Sequence, residues 1–270
     1  MRKDKLFLAA CLVTLAALVA LTHVVLADAS SELYSSMWDK GVVVVLYGDK
    51  YGTGWWVDKQ YLVTAAHVVG WTSNVKVTLI HGDYVATGYV IYTDRVHDIA
   101  IIKADKPPTS QYIFSLAIAD PEKGQRIFVI GYPNELYKII GDVEIMSSNP
   151  RIAEGIIAWV YPDKQLFEFQ ASTDAGNSGG PIVDENGNVL GIVSFAMPGE
   201  ITYLFYGTSV SAIKEALSKV GVKYRVGLSS TLTTTSASVL QPAVIAAVVG
   251  GAAAIVMTSL MLPMLRGEKR

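Results

Sequence analysis

The stretch Gly176-Asn177-Ser178-Gly179-Gly180-Pro181 sets one serine among three glycines, late in a chain rich in β-branched residues. Glycine reaches positive φ without steric cost, so such a turn can aim backbone N–H groups beside the serine. Upstream stand Ala65-Ala66-His67 and His97-Asp98-Ile99-Ala100. The order along the chain is therefore histidine, aspartate, serine. Those side chains together turn a weak hydroxyl into an acyl-transfer nucleophile: a base takes its proton and an acid orients the base. Taken singly, His67 reads as structural, Asp98 as a turn cap and Gly179-Gly180 as a hairpin bulge. Their joint occurrence favours chemistry.

Around these residues the middle of the chain reads as β. Short apolar or alternating runs at 41–46, 75–80, 85–92, 99–103, 126–130, 165–170, 181–183 and 189–195 are separated by Gly, Pro and Asx residues. The run 61–66 delivers His67 from the end of an apolar strand. One clear helix is predicted over 211–220, where Ile213, Ala216, Leu217 and Val220 share a face and Ser211 caps the start. Many short strands at this spacing suggest barrels or a sandwich. There is no internal repeat.

Charged residues make up 17% of the chain and hydrophobic ones 51%. Soluble domains carry about 25% charged residues, so part of this chain is expected in lipid. A net charge of −2, with no basic cluster in the middle, sets nucleic acid aside as a partner. The single cysteine, Cys11, excludes an intramolecular disulfide and a multi-cysteine zinc site. No metal spacing or phosphate loop appears, and no cofactor is expected.

Both ends carry apolar runs. Residues 6–26 follow a basic start and hold no Asp, Glu, Lys or Arg, and Ala27-Asp28-Ala29 fits a small-x-small cleavage site. Residues 1–29 therefore read as a signal peptide or a signal anchor, and both readings stand. Residues 226–242 are rich in Ser and Thr and read as a stalk. Residues 243–265 are long enough to cross a bilayer as a transmembrane helix, and 266–270 form a basic tail. Basic residues outside both runs place the ends in the cytoplasm and residues 30–225 on the extracytoplasmic side of a cell membrane.

The segments Gly52-Thr53-Gly54-Trp55, Thr64-Ala65-Ala66-His67-Val68-Val69, His97-Asp98-Ile99-Ala100-Ile101-Ile102 and Gly176-Asn177-Ser178-Gly179-Gly180-Pro181 resemble the chymotrypsin/trypsin fold, in its HtrA/DegP-like branch. Gly191-Ile192-Val193-Ser194 is similar to the strand lining the specificity pocket. The resemblance implies an all-β fold: two six-stranded antiparallel barrels with a C-terminal helix, here flanked by transmembrane helices. It implies a serine endopeptidase acting on polypeptide substrates, with His67, Asp98 and Ser178 as the catalytic triad. The backbone N–H groups of Gly176 and Ser178 would form the oxyanion hole. It also implies assembly as a homo-oligomer, a trimer by analogy.

The chain departs from the family pattern in places. Asn177 stands where digestive members carry an aspartate, so activation by N-terminal cleavage is not expected. No PDZ module follows the domain. The segment between Gln170 and Ser178 is short for HtrA relatives. Alignment from Ser178 puts Ser172 at the pocket floor and Ser194, Phe195 and Ala196 on its wall. With no acid there save Asp174, small or medium apolar side chains are the expected preference. His97 reads as an exposed neighbour and His81 as a turn residue. Trp55, Trp56, Trp71 and Trp159 read as core or barrel-end aromatics. The alternative function is a catalytically latent, chaperone-like or scaffolding polypeptide binder. An esterase is disfavoured, because the motif order is not that of an α/β-hydrolase elbow.

Overall fold

A computed structural model describes residues 37–199 and 203–227. Both apolar termini and residues 228–242 of the expected stalk lie outside the described residues, as does His23. Val226 and Gly227, expected in the stalk, instead bond to Leu116 at the edge of the domain. Among the described residues no helix is long and apolar enough to cross a membrane.

The first barrel comprises β1 (Val42–Tyr47), β2 (Lys50–Trp56), β3 (Tyr61–Ala65), β4 (Lys76–His81), β5 (Tyr84–Asp94) and β6 (Ile99–Ala104). The strands run antiparallel in the order β1-β2-β3-β6-β5-β4, and pairing of β1 with β4 closes the ring. A short β7 (Ser115–Leu116) leads to the second half. There β8 (Arg126–Gly131), β9 (Arg151–Tyr161), β10 (Leu166–Ala171), β11 (Pro181–Val183), β12 (Asn188–Pro198) and β13 (Tyr203–Ser209) form a second antiparallel ring. Its order is β8-β9-β10-β13-β12-β11, closed by the β11–β8 pair. β7 and then β14 (Arg225–Val226) add in parallel beside the start of β12. Closure leaves neither ring with a free edge. The sandwich allowed by the strand pattern is thus replaced by two six-stranded barrels.

The run Val42-Val43-Val44-Val45 is continuous rather than alternating because both faces of β1 are covered. Val43 and Val45 join Leu62, Leu79 and Ile102 in one cluster of the first barrel. Val42 and Val44 point the other way, into a larger cluster that includes Phe114 from the connection before β7 and Ile130, Phe167 and Ile182 from the second half. β6 divides likewise, Ala100 and Ile102 against Ile99 and Ile101. Each such side chain taken fully from water contributes about 1.5–3 kcal/mol. The shared cluster is what locks the barrels together and so sets the groove between them.

The expected helix is present as α3, and the β8–β9 connection holds two further short helices. α1 (Asn134–Ile140) and α2 (Val143–Ser147) fill the β8–β9 connection. They were not legible from periodicity, since neither is long enough to repeat a 3.6-residue pattern. Their punctuation is clear in retrospect. Gly141 ends α1 at φ 72°, and the Asp142 carboxylate accepts the N–H of Glu144 and Ile145 at the start of α2. α3 (Val210–Lys219) buries Ile213, Ala216 and Leu217 as expected, and packs on β12, β13 and β6. Ser211 is not its cap. It lies inside the first turn, where its N–H and Oγ donate to the Asp120 carboxylate at 2.9 and 2.8 Å. An aspartate distant in sequence thus replaces the local cap.

Candidate active site

Pairing of Ala65 with Ile99 brings the end of β3 beside the start of β6. His67 follows in a tight turn, and Asp98 immediately precedes β6. Two bonds join them: His67 N–H donates to Asp98 Oδ1 at 2.9 Å, and His67 Nδ1 lies 2.8 Å from Asp98 Oδ2. Asp98 sits at φ 54°, a left-handed conformation that aspartate tolerates better than most side chains. It is held there by neighbours on both sides. Its carbonyl accepts Ala66 N–H, and Asp94 Oδ1 accepts the N–H of Val96 and His97 just before it. Ser194, which the sequence placed on the pocket wall, donates from Oγ to Asp98 Oδ2 at 2.6 Å. The reason is a bulge: β12 and β13 slip register between Val193 and Phe195, and the residue left over is Ser194.

Ser178 arrives from the second barrel, in the loop between β10 and β11. Its carbonyl accepts Thr53 N–H from β2 at 2.9 Å. Gly179 N–H donates to Val193 O and Val193 N–H to Gly180 O, which pins the loop to β12. Two glycines are demanded by this geometry. Gly176 has φ 94°, and a Cβ there would strike the carbonyl of Tyr132. Gly179 has φ 82°, and a Cβ there would strike Thr64 Oγ1, Ala65 N and Thr53 O. Thr53 binds the loop a second time. Its hydroxyl donates to Gly176 O at 2.8 Å and accepts Tyr132 N–H at 3.1 Å. Among the described residues, the N–H groups of Gly176 and Ser178 have no protein acceptor. Buried backbone donors seldom stay unpaired, so this pair is disposed to take an oxygen from a ligand.

His67, Asp98 and Ser178 line one cleft of about 1020 Å³. Among the described residues no hydrogen bond joins Ser178 to His67. Its apolar wall is made by Leu166, Val193, Phe195, Ala196 and Phe205. Phe195 stacks on Tyr206 with centroids 4.9 Å apart. Ser172 does not form the floor: it is exposed, lies outside the cleft lining, and its carbonyl accepts Arg151. The short Gln170–Ser178 connection presents Thr173, Asp174 and Ala175 to the cleft instead. Tyr51 stands behind this loop, its phenol pushed up to about 12 by burial, then by the charge of Asp174 and by Tyr137.

His97 is not simply exposed. It lines the same cleft, with Nδ1 3.1 Å from Asp94 Oδ2, and its carbonyl accepts Thr208 Oγ1. Burial pushes the Asp94 carboxyl up, but hydrogen bonds from the His97 side chain and from the N–H of His97 and Val96 hold it below its ordinary value. His81 is the last residue of β4 rather than a turn residue, and its Nδ1 lies 3.3 Å from Tyr132 Oη. Trp55 and Trp56 are core, Trp71 stands 6.2 Å from the His67 ring, and Trp159 is a surface residue under Lys123. No cluster able to hold a metal ion is found among the described residues. The supporting roles of Thr53 and Asn134 are not readable from sequence, because each acts through contacts with residues far along the chain, whereas Asp94 acts on its near neighbours Val96 and His97.

Residues 52–192, just over half of the chain, match the trypsin-like peptidase domain. The serine protease Rv3671c of Mycobacterium tuberculosis (strain ATCC 25618 / H37Rv) is 29% identical over 191 residues, covering 67% of this chain and 45% of that protein. A serine protease HtrA-like of Staphylococcus aureus (strain MRSA252) is 27% identical over 188 residues, covering 63% of this chain and 23% of its own length. The chain thus spans less than half the length of these relatives. Among solved structures, the active form of Rv3671c protease superposes with a TM-score of 0.55 at 24% identity, covering 70% of this chain and 84% of that one. That likeness concerns the fold. On the family match and the two-barrel architecture together, the chain belongs to the trypsin-like peptidase domain family.

Proposed function

We propose that the protein is a serine endopeptidase working through Ser178 as nucleophile, His67 as general base and Asp98 as the group that orients His67. In this reading Ser178 Oγ attacks the scissile carbonyl while His67 Nε2 takes its proton. The proton then passes to the leaving amine, and water hydrolyses the acyl-enzyme. The N–H groups of Gly176 and Ser178 receive the oxyanion. The observation that carries the reading is the doubly bonded His67–Asp98 pair facing the same cleft as Ser178. Asp98 accepts at Nδ1, which leaves Nε2 as the nitrogen for the serine. The apolar cleft wall supports substrates with apolar side chains, and Asp163 and Asp174 add acids to the lining. The apolar segments at 6–26 and 243–265 support a membrane tether with the 30–225 domain on the extracytoplasmic face.

The test uses the full chain in membranes, challenged with unfolded polypeptide and with a fluorophosphonate probe. Ser178→Ala is expected to abolish both cleavage and labelling; labelling at full strength in the variant overturns the assignment. A second reading, a polypeptide-binding scaffold with latent catalysis, draws on the missing Ser178–His67 hydrogen bond. Catalytic hydrogen bonds of this kind often tighten only when substrate is bound. Labelling without cleavage would select the latent reading.

A further inference from the structure

We propose that Asn134 is a positioning residue for the oxyanion donor at Gly176, acting through its backbone N–H. The inference rests on the reading of Ser178 as the acyl-transfer nucleophile. Asn134 opens α1, and its N–H donates to Ala175 O at 2.6 Å. Ala175 and Gly176 share one planar trans peptide, so the Ala175 carbonyl and the Gly176 N–H point in opposite directions. Holding the carbonyl toward α1 therefore fixes where the Gly176 N–H points.

The next peptide along is anchored separately. Thr53 Oγ1 holds the Gly176 carbonyl, and Asp174 O accepts Asn177 N–H at 3.1 Å. Among the described residues the Asn134 bond is the one hydrogen bond made by the Ala175–Gly176 peptide, because the Gly176 N–H has no protein acceptor. Without it the plane can swing about ψ of Ala175 and φ of Gly176, a rotation glycine permits at little cost. The donor would then leave the site while the His67–Asp98 pair stays intact. The Asn134 backbone is held by α1; the Tyr51 hydroxyl reaches Asn134 Oδ1 only at 3.4 Å, too long to fix it, and the Tyr51 ring meets Tyr137 edge-on.

The position allows a clean deletion of the donor. Asn134 is the first helical residue, where proline is well tolerated because that N–H is not part of the helix ladder. Pro133 before it is already extended, at φ −65° and ψ 144°, as a residue preceding proline must be. Asn134→Pro removes the N–H; Asn134→Ala removes only the side chain. Both are compared with the wild-type full chain on a peptide substrate, and on a peptide aldehyde whose adduct with Ser178 places an oxyanion in the hole. Asn134→Pro is expected to lower kcat about 100-fold and to weaken the aldehyde to match, with KM and the denaturation midpoint little changed. Asn134→Ala is expected to stay within about threefold of wild type. Equal kcat for the two variants overturns the proposal, as does a loss in Asn134→Pro confined to KM or accompanied by a lowered midpoint. A wild-type chain with no Ser178-dependent turnover or labelling overturns the acyl-transfer reading first, and this inference with it.

Discussion

Ser194 Oγ donates a 2.6 Å hydrogen bond to Asp98 Oδ2, the same oxygen that lies 2.8 Å from His67 Nδ1. The bond crosses from β12 of the second barrel to the start of β6 in the first. Ser194 and Asp98 are both buried, so the carboxylate is held by protein donors rather than water. Its Oδ1 is taken by His67 N–H, which leaves the anion little freedom to turn.

Ser194→Ala therefore removes a charge-assisted bond without creating a large cavity. Bonds of this type contribute about 1.5–3 kcal/mol, and a loss of that order is expected in urea denaturation. Peptide turnover should fall in kcat, by about tenfold, through a less well oriented His67. A variant with unchanged kcat and unchanged stability would show that the bond has no role in holding Asp98.

Gly179→Ala tests the closeness of the two barrels. The backbone there is left-handed and a Cβ would overlap atoms of β2 and β3 that cannot move aside. The expected cost is above about 3 kcal/mol, large for one methyl group, because strain and overpacking add. Thermal denaturation of the variant measures it. A midpoint shift no larger than that of a surface alanine would contradict the geometry.

His81 should make stability depend on pH. Burial, first among its causes, holds its imidazole below the ordinary value near 6.5. Tyr132 Oη faces the carbonyls of Val42 and Ser147 and also meets His81 Nδ1, which suits the neutral ring as donor. The unfolded chain binds the proton more readily than the folded one. Stability should thus fall as pH drops below about 6.5 toward the lower folded value, by at most about 1.4 kcal/mol per pH unit. Denaturation midpoints at pH 8 and pH 5.5 should converge in His81→Gln relative to wild type. An identical pH dependence in the two proteins would remove His81 from the account.

Much of this was legible in the chain itself. The valine run at β1, the isoleucines of β6 and the helix at Ile213 carry period and composition that local physics reads directly. β2 and β13 were harder, since Lys50–Trp56 and Tyr203–Ser209 mix glycine, threonine and aromatic residues without clean alternation. Their pairing comes from ring closure, a non-local demand. The same holds for α1 and α2, whose caps are stronger than their periodicity.

The order His67, Asp98, Ser178 and the glycines around the serine were set by sequence alone, because residue type and backbone permissiveness are local properties. Only the tertiary structure decided which partner each residue meets. A bulge let Ser194, which lines the cleft as expected, also reach Asp98, and the short loop after β10 left Ser172 outside the cleft. The hydroxyl of Thr53 and the N–H of Asn134 became supports of a turn distant in sequence. Hydrogen bonds act over about 3 Å, and which groups come within that reach is settled by how two closed barrels pack, not by spacing along the chain.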